Sequence, residues 1–192
     1  MPPKAKFTKA QIIQAGLEIT RKEGMENLTA RALGRKLGSS PCPIFTVLEN
    51  MEEVQAEVKK AAKAVYADYV KKGLEEIPAF KGVGMQYILF AMKEPKLFQL
   101  LFMSEQPQKP VVAHILPVIE DSYDEIVLSV KSSFELNESE AENLYRHLWI
   151  YTHGIAVLCA TNMCTFTPEE MGSMLTEVCV AVLNKIKGGK NQ

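Results

Sequence analysis

The chain is poor in the residues that mark most specialised classes of protein. Among 192 residues it has four cysteines, Cys42, Cys159, Cys164 and Cys179, without a CxxC pair. Neither a disulfide scaffold nor a zinc knuckle is therefore expected, and the thiols are read as reduced. Its three histidines, His114, His147 and His153, have no serine or carboxylate at a catalytic spacing, and GxSxG, P-loop, HExxH and Rossmann glycine patterns are absent. The expectation is a protein that is not an enzyme and needs neither cofactor nor metal. No run approaches the roughly 20 apolar residues of a membrane span. The opening Met-Pro-Pro-Lys lacks the apolar segment of a secretion signal, so a cytoplasmic location without a membrane partner is expected.

What the chain does have is apolar content, 47% of its residues, arranged almost throughout at helical spacing. That is enough to bury a core in a small module plus a larger helical domain. Charge is unevenly spread: residues 1–50 carry +4 and the remainder −5. The positive end is where a polyanion would dock.

Residues 8–57 read as three short helices punctuated by single glycines, the layout of a helix-turn-helix DNA reader. Thr8 and Gln11 form a capping box, and Ile12, Ala15, Leu17 and Ile19 keep a helical rhythm until Gly24. Thr29 caps a second helix, with Ala30, Leu33 and Leu37 inside and Arg31, Arg35 and Lys36 outside, ending at Gly38. The spacing predicts a third helix with Ser40 as N-cap, Pro41 in the first turn, and Ile44, Phe45 and Leu48 packing inward. Pro41 and Pro43 are compatible with a first helical turn, whose N–H groups have no intrahelical partner, although Pro43 disfavours helical geometry at Cys42. Cys42 is read as a small contact-surface residue ahead of a redox sensor.

These residues resemble the TetR family of bacterial transcriptional repressors over about the first quarter of the chain. The likeness is carried by Gly24, Thr29 with Arg31, Gly38 with Ser40, and Phe45 with Leu48. The proline in the third helix is similar to sequences of TetR-like regulators from low-GC Gram-positive bacteria. Two departures stand out: Phe45 replaces the family's tyrosine and Met51 its lysine, side chains that commonly hold DNA phosphates. The resemblance implies a homodimer on a palindromic double-stranded operator, with Thr29, Arg31, Ser40, Cys42, Pro43, Phe45 and Thr46 as DNA-facing residues.

Beyond residue 50, Val54, Val58, Ala61, Ala62, Val65 and Tyr69 stripe a helix reaching about Gly73. Pro78 and Pro95 bracket another, whose Met85, Tyr87, Ile88, Leu89, Phe90 and Met92 are too densely apolar for a surface. A short helix from Lys96 to Met103, a loop from Gln106 to Pro110 and a helix from Val111 to Phe134, with a bend or a late start at Pro117, are expected next. Asn137 with Glu140, and Thr167 with Pro168 and Glu170, begin the last two helices, which in TetR-like proteins pair with their copies in a second subunit. Trp149, His153 and Gly154 resemble the Trp-His-Gly segment of one class of TetR-like C-terminal domains. Trp149 and His153 share a helix face, and a ligand pocket is expected from Met85, Tyr87, Phe90, Phe98, Phe102, Trp149 and His153. His153 as a satisfied core residue is the alternative.

The expectation is an all-α fold with a helix-turn-helix domain at 1–50 and a ligand-binding, dimerising domain at 51–192. Its function would be that of a DNA-binding regulator, a repressor released by a hydrophobic small-molecule effector that alters the spacing of two reading heads. The alternative is an all-helical small-molecule-binding protein without strong DNA binding.

Overall fold

The computed structural model describes residues 6–105 and 110–188, and every regular element among them is helical. The expected loop from Gln106 to Pro110 lies, apart from Pro110, outside the described residues. In chain order the α-helices are α1 (Lys9–Glu23), α2 (Ala30–Lys36), α3 (Met51–Leu74), α4 (Ala79–Lys93), α5 (Pro95–Phe102), α6 (Ile115–Ile119), α7 (Tyr123–Phe134), α8 (Glu138–Ala160) and α9 (Pro168–Gly188). None among the described residues is long and apolar enough to cross a membrane.

Two compact units emerge, one of Met1–Tyr66 with Glu94–Ser104, the other of Ala67–Lys93 with Glu105–Gln192. The division falls within α3 and places α5 in the first unit, an assignment that the sequence reading of 1–50 does not contain. In that unit α1 packs on α2 and α5. Ile12, Leu28, Leu33, Ile44, Leu48, Val54, Val58, Leu97 and Phe98 form its core, each at most 2% exposed. The Arg21 guanidinium meets the Glu94 carboxylate at 2.8 Å, tying the end of α1 to the start of α5.

The helix starts follow local chemistry. Thr8 Oγ1 accepts the Gln11 N–H while Gln11 Oε1 accepts the Thr8 N–H, and the same reciprocal pair recurs for Asn137 with Glu140 and for Thr167 with Glu170. Each box satisfies N–H groups that the helix itself leaves bare, a contribution of about 1 kcal/mol. α2 begins on Thr29, which accepts the Ala32 N–H, and is followed by Gly38 at φ +64°.

Two expected helices are corrected. The segment after Gly38 forms no α-helix; Ser40 caps nothing, and only a 3-10 turn at Ile44–Thr46 is helical. Pro41 and Pro43 remove two N–H donors, and Pro43 disfavours α geometry at Cys42. What remains closes through i→i+3 bonds, the Ile44 N–H reaching the Pro41 carbonyl and the Val47 N–H the Ile44 carbonyl. The span from Val111 to Phe134 is likewise three pieces: a 3-10 turn at Val112–His114, then α6, then α7. The break falls at Glu120, whose backbone is extended, three residues after Pro117.

In the second unit α4 packs most extensively on α8 and also on α7 and α9, and α8 in turn packs on both of these. Ile88, Phe90 and Ala91 are fully buried, while Met92, expected inside, is 40% exposed. The end of α3 crosses α4 at close range because Gly73 and Gly82 lack side chains: a Cβ on Gly73 would lie 2.5 Å from the Val83 Cα, and one on Gly82 would meet the Gly73 carbonyl oxygen. Backbone cannot step aside as a side chain can. Gly73→Ala is therefore expected to cost about 1–3 kcal/mol, read as a lower urea midpoint; an unchanged midpoint would mean that the crossing is looser than described.

Candidate functional site

In the first unit, all seven residues expected to face DNA are wholly or partly accessible. Thr29, Arg31, Ser40, Cys42, Phe45 and Thr46 are exposed and Pro43 half-buried. Arg31 and Arg35 stand four apart on α2, so they share a face. Neither has an ionic partner among the described residues, unlike Lys36, which pairs with Glu18 at 2.6 Å, and Lys9, which lies 3.4 Å from both Glu53 and Glu57. A Cβ at Gly34 would lie 2.9 Å from the Ser39 carbonyl oxygen, so the missing side chain lets the turn after α2 fold back on that helix. This positions the turn carrying Ser40, Cys42 and Pro43.

The turn itself is sparing with donors. The Thr46 hydroxyl donates to the Pro43 carbonyl at 2.7 Å, so its proton is committed within the turn. Phe45, expected to pack inward, is 38% exposed and presents an apolar ring without a donor. α3 opens with Met51 followed by Glu52 and Glu53, and Asn50 Oδ1 accepts the Glu53 N–H at 2.8 Å. These carboxylates suit the positive helix end and would repel a polyanion.

In the second unit, three of the expected ligand-binding residues come together. The Trp149 and His153 rings stack with centroids 4.9 Å apart and planes 13° apart. His153 Nδ1 lies 2.9 Å from the Tyr87 hydroxyl. Burial raises the Tyr87 phenol well above its ordinary value, and the nearby Glu120 carboxylate adds to the effect. Tyr145 is raised in the same order of causes. Glu120 is buried and accepts the Ser122 N–H at 3.2 Å. Reading 111–134 as one helix hid this carboxylate; its only sequence signal is the pairing of Pro117 with the turn-forming Asp121 and Ser122.

The other expected ligand residues lie elsewhere. Phe90 is fully buried against Tyr69, and Met85 is half-buried on α4. Phe98 and Phe102 belong to the first unit, where Phe102 meets Tyr66 edge-on at 4.9 Å. Gly154 is exposed, and nothing lies within 4 Å of where its Cβ would be.

The second unit also has a cavity of about 260 Å³ between α4, α8 and α9, lined by Phe80, Lys81, Gly84, Thr152, Leu175 and Cys179 among others. None of the seven expected ligand residues lines it. Its one sequence trace is Gly84, a second glycine two residues from Gly82 in an otherwise densely apolar helix. Among the described residues no group of histidine, cysteine, aspartate or glutamate is placed to hold a metal ion. Comparison with protein-family models and with curated proteins gives no match for this chain.

Burial holds the His153 imidazolium below the ordinary value near 6.5. Between the two values the unfolded chain binds more protons than the folded one. The neutral ring's contribution to stability is thus complete above about pH 6.5 and declines as pH falls through that window. Trp149 is the only tryptophan, and a protonated imidazole stacked on an indole quenches it. Its emission is expected to fall with a midpoint below pH 6.5, a transition that His153→Gln removes. A midpoint at or above 6.5 would contradict the burial of this ring.

Proposed function

We propose that the chain is a DNA-binding transcriptional regulator, a homodimeric repressor whose second unit takes a small hydrophobic effector. The observation that carries the reading is the accessible pair Arg31 and Arg35 on α2, without an ion pair among the described residues and followed by a turn folded tightly against Gly34. Cations left without internal partners are available to phosphates, and the release of counterions supplies affinity. The resemblance to TetR-like repressors supports the same assignment.

A second reading, a helical small-molecule-binding protein without strong DNA affinity, is favoured by the proline-limited turn. There the Thr46 hydroxyl is spent on Pro43, and the exposed ring of Phe45 and the carboxylates of Glu52 and Glu53 occupy the flanks. Selection from random duplexes separates the two readings: the regulator enriches a palindromic site, the binding protein enriches nothing.

On the regulator reading, Arg31→Ala weakens binding to the selected site by about 1–3 kcal/mol. Met51→Lys raises affinity for specific and random duplexes alike and steepens the dependence on salt. Unchanged affinity in the first variant would sink the assignment of α2.

Dimerisation through α8 and α9 draws support from Ile150 and Val180, apolar side chains on these helices that are 47% and 50% exposed. The expected sedimentation mass is about twice 21.4 kDa, falling to the single-chain value in Ile150→Asp. A wild-type monomer at micromolar concentration would refute the dimer.

A further inference from the structure

The cavity between α4, α8 and α9 has an apolar body and one charged group. Phe80, Phe134, Leu148, Leu175 and Val180 supply its walls, with the Phe80 and Phe134 rings in contact at 5.2 Å. Its floor is open because residue 84 is glycine: a Cβ there would find Leu175 Cδ1 at 3.7 Å and Thr152 Oγ1 at 3.8 Å, ordinary contact distances. Gly73 and Gly82 are required by a backbone crossing. Gly84 is not, and what it leaves is room.

The polar groups around this space divide sharply. The Thr152 hydroxyl donates to the Leu148 carbonyl at 2.7 Å and the Thr176 hydroxyl to the Gly172 carbonyl at 2.7 Å. Both protons are spent on their own helices, leaving only lone pairs toward the cavity. Lys81 reaches across the mouth from α4 to α9, its Nζ 3.4 Å from Thr176 Oγ1. It is the strong donor of the lining and its only formal charge. Among the described residues no carboxylate lines the cavity; Glu169 and Glu177 line the adjoining open groove, which shares Lys81, Thr176 and Val180 with it. Cys179, on the lining, feels both influences: burial raises its thiol and the charge of Lys81 opposes the rise.

We propose that this cavity binds a carboxylic acid with a compact apolar body, the carboxylate at Lys81 and the tail on Gly84 between Leu175 and Leu148. At about 30 Å³ per water, a cavity of about 260 Å³ takes on the order of nine non-hydrogen atoms, so octanoate, whose carboxylate would sit at the mouth, is about the right size. Sugars and nucleotides carry donors that the spent hydroxyls could accept only in part, and they bring no apolar body to the walls. The inference deepens the regulator reading, on which only the ligand's role as an effector rests; binding itself is measured without DNA.

The test is calorimetric titration of the full chain with straight-chain carboxylates from six to twelve carbons, and with octanol as the neutral match. Affinity is expected to rise about fourfold per methylene until the cavity is full near eight to ten carbons, then to level off. Lys81→Gln lowers octanoate affinity about tenfold and leaves octanol unchanged. Gly84→Leu, which fills the floor, abolishes both, whereas Gly84→Ala retains them. Should Gly84→Leu fail to fold, modification of Cys179 by a maleimide, followed by mass spectrometry in Cys42→Ser/Cys164→Ser, replaces it, and octanoate slows the reaction. The proposal is overturned if no acid of the series binds, if octanoate and octanol respond alike to Lys81→Gln, or if Gly84→Leu or the Cys179 rate shows no effect. Octanoate binding by a protein that enriches no operator, or whose operator affinity octanoate leaves unchanged, would count against the regulator reading alone.

Discussion

Everything in the second unit depends on covering α4. A helix whose apolar side chains point in all directions cannot lie on a surface, because each exposed Phe or Ile forgoes about 1.5–3 kcal/mol of burial. α7, α8 and α9 close over it, with Ile88, Phe90 and Ala91 fully buried. Once so enclosed, any polar group on α4 or its cover must find a partner inside. Tyr87 reaches His153 and lies in the field of Glu120, so the polar cluster is a consequence of enclosing α4. The cavity has the same origin, since covering helices that meet the bulk of Leu175 and Leu148 leave a gap where residue 84 has no side chain.

The first unit is ruled by a different constraint, the two prolines of the turn after α2. They take away N–H donors and restrict Cys42, so the segment closes as a 3-10 turn held by Ile44 and Leu48 in the core. Its backbone has few donors to offer, so on the proposed regulator reading polyanion recognition falls to side chains such as Arg31 and Arg35. A turn of this kind is rigid as well as poor in donors.

The two units therefore hold two kinds of candidate site. One is a surface whose value lies in charges left without internal partners. The other is an apolar cavity whose threonine hydroxyl protons are already committed and whose mouth carries a single exposed ammonium, Lys81. A small regulator needs both kinds; a binding protein needs only the second.

Local chemistry was legible in the amino-acid sequence. Capping boxes at Thr8, Asn137 and Thr167, the stops at Gly24 and Gly38, the prolines bracketing α4 and the all-helical class follow from interactions within a few residues, and these survive in any tertiary setting. The pairing of Trp149 with His153 was legible for the same reason, as a four-residue spacing on one helix. The third helix was misread because a first-turn proline is tolerated, whereas two prolines with a restricted residue between them leave too few bonds to extend the turn. That Phe98 and Phe102 fall in the first unit and Trp149 in the second was beyond sequence reasoning, since apolar periodicity says that a side chain is buried but not against what. Tertiary structure alone decided that Phe102 meets Tyr66, that Glu120 is enclosed beside Tyr87, and that Gly84 opens onto a cavity under Lys81. A cavity is the space that packing fails to fill, and no local pattern of residues encodes an absence created by helices distant in the chain.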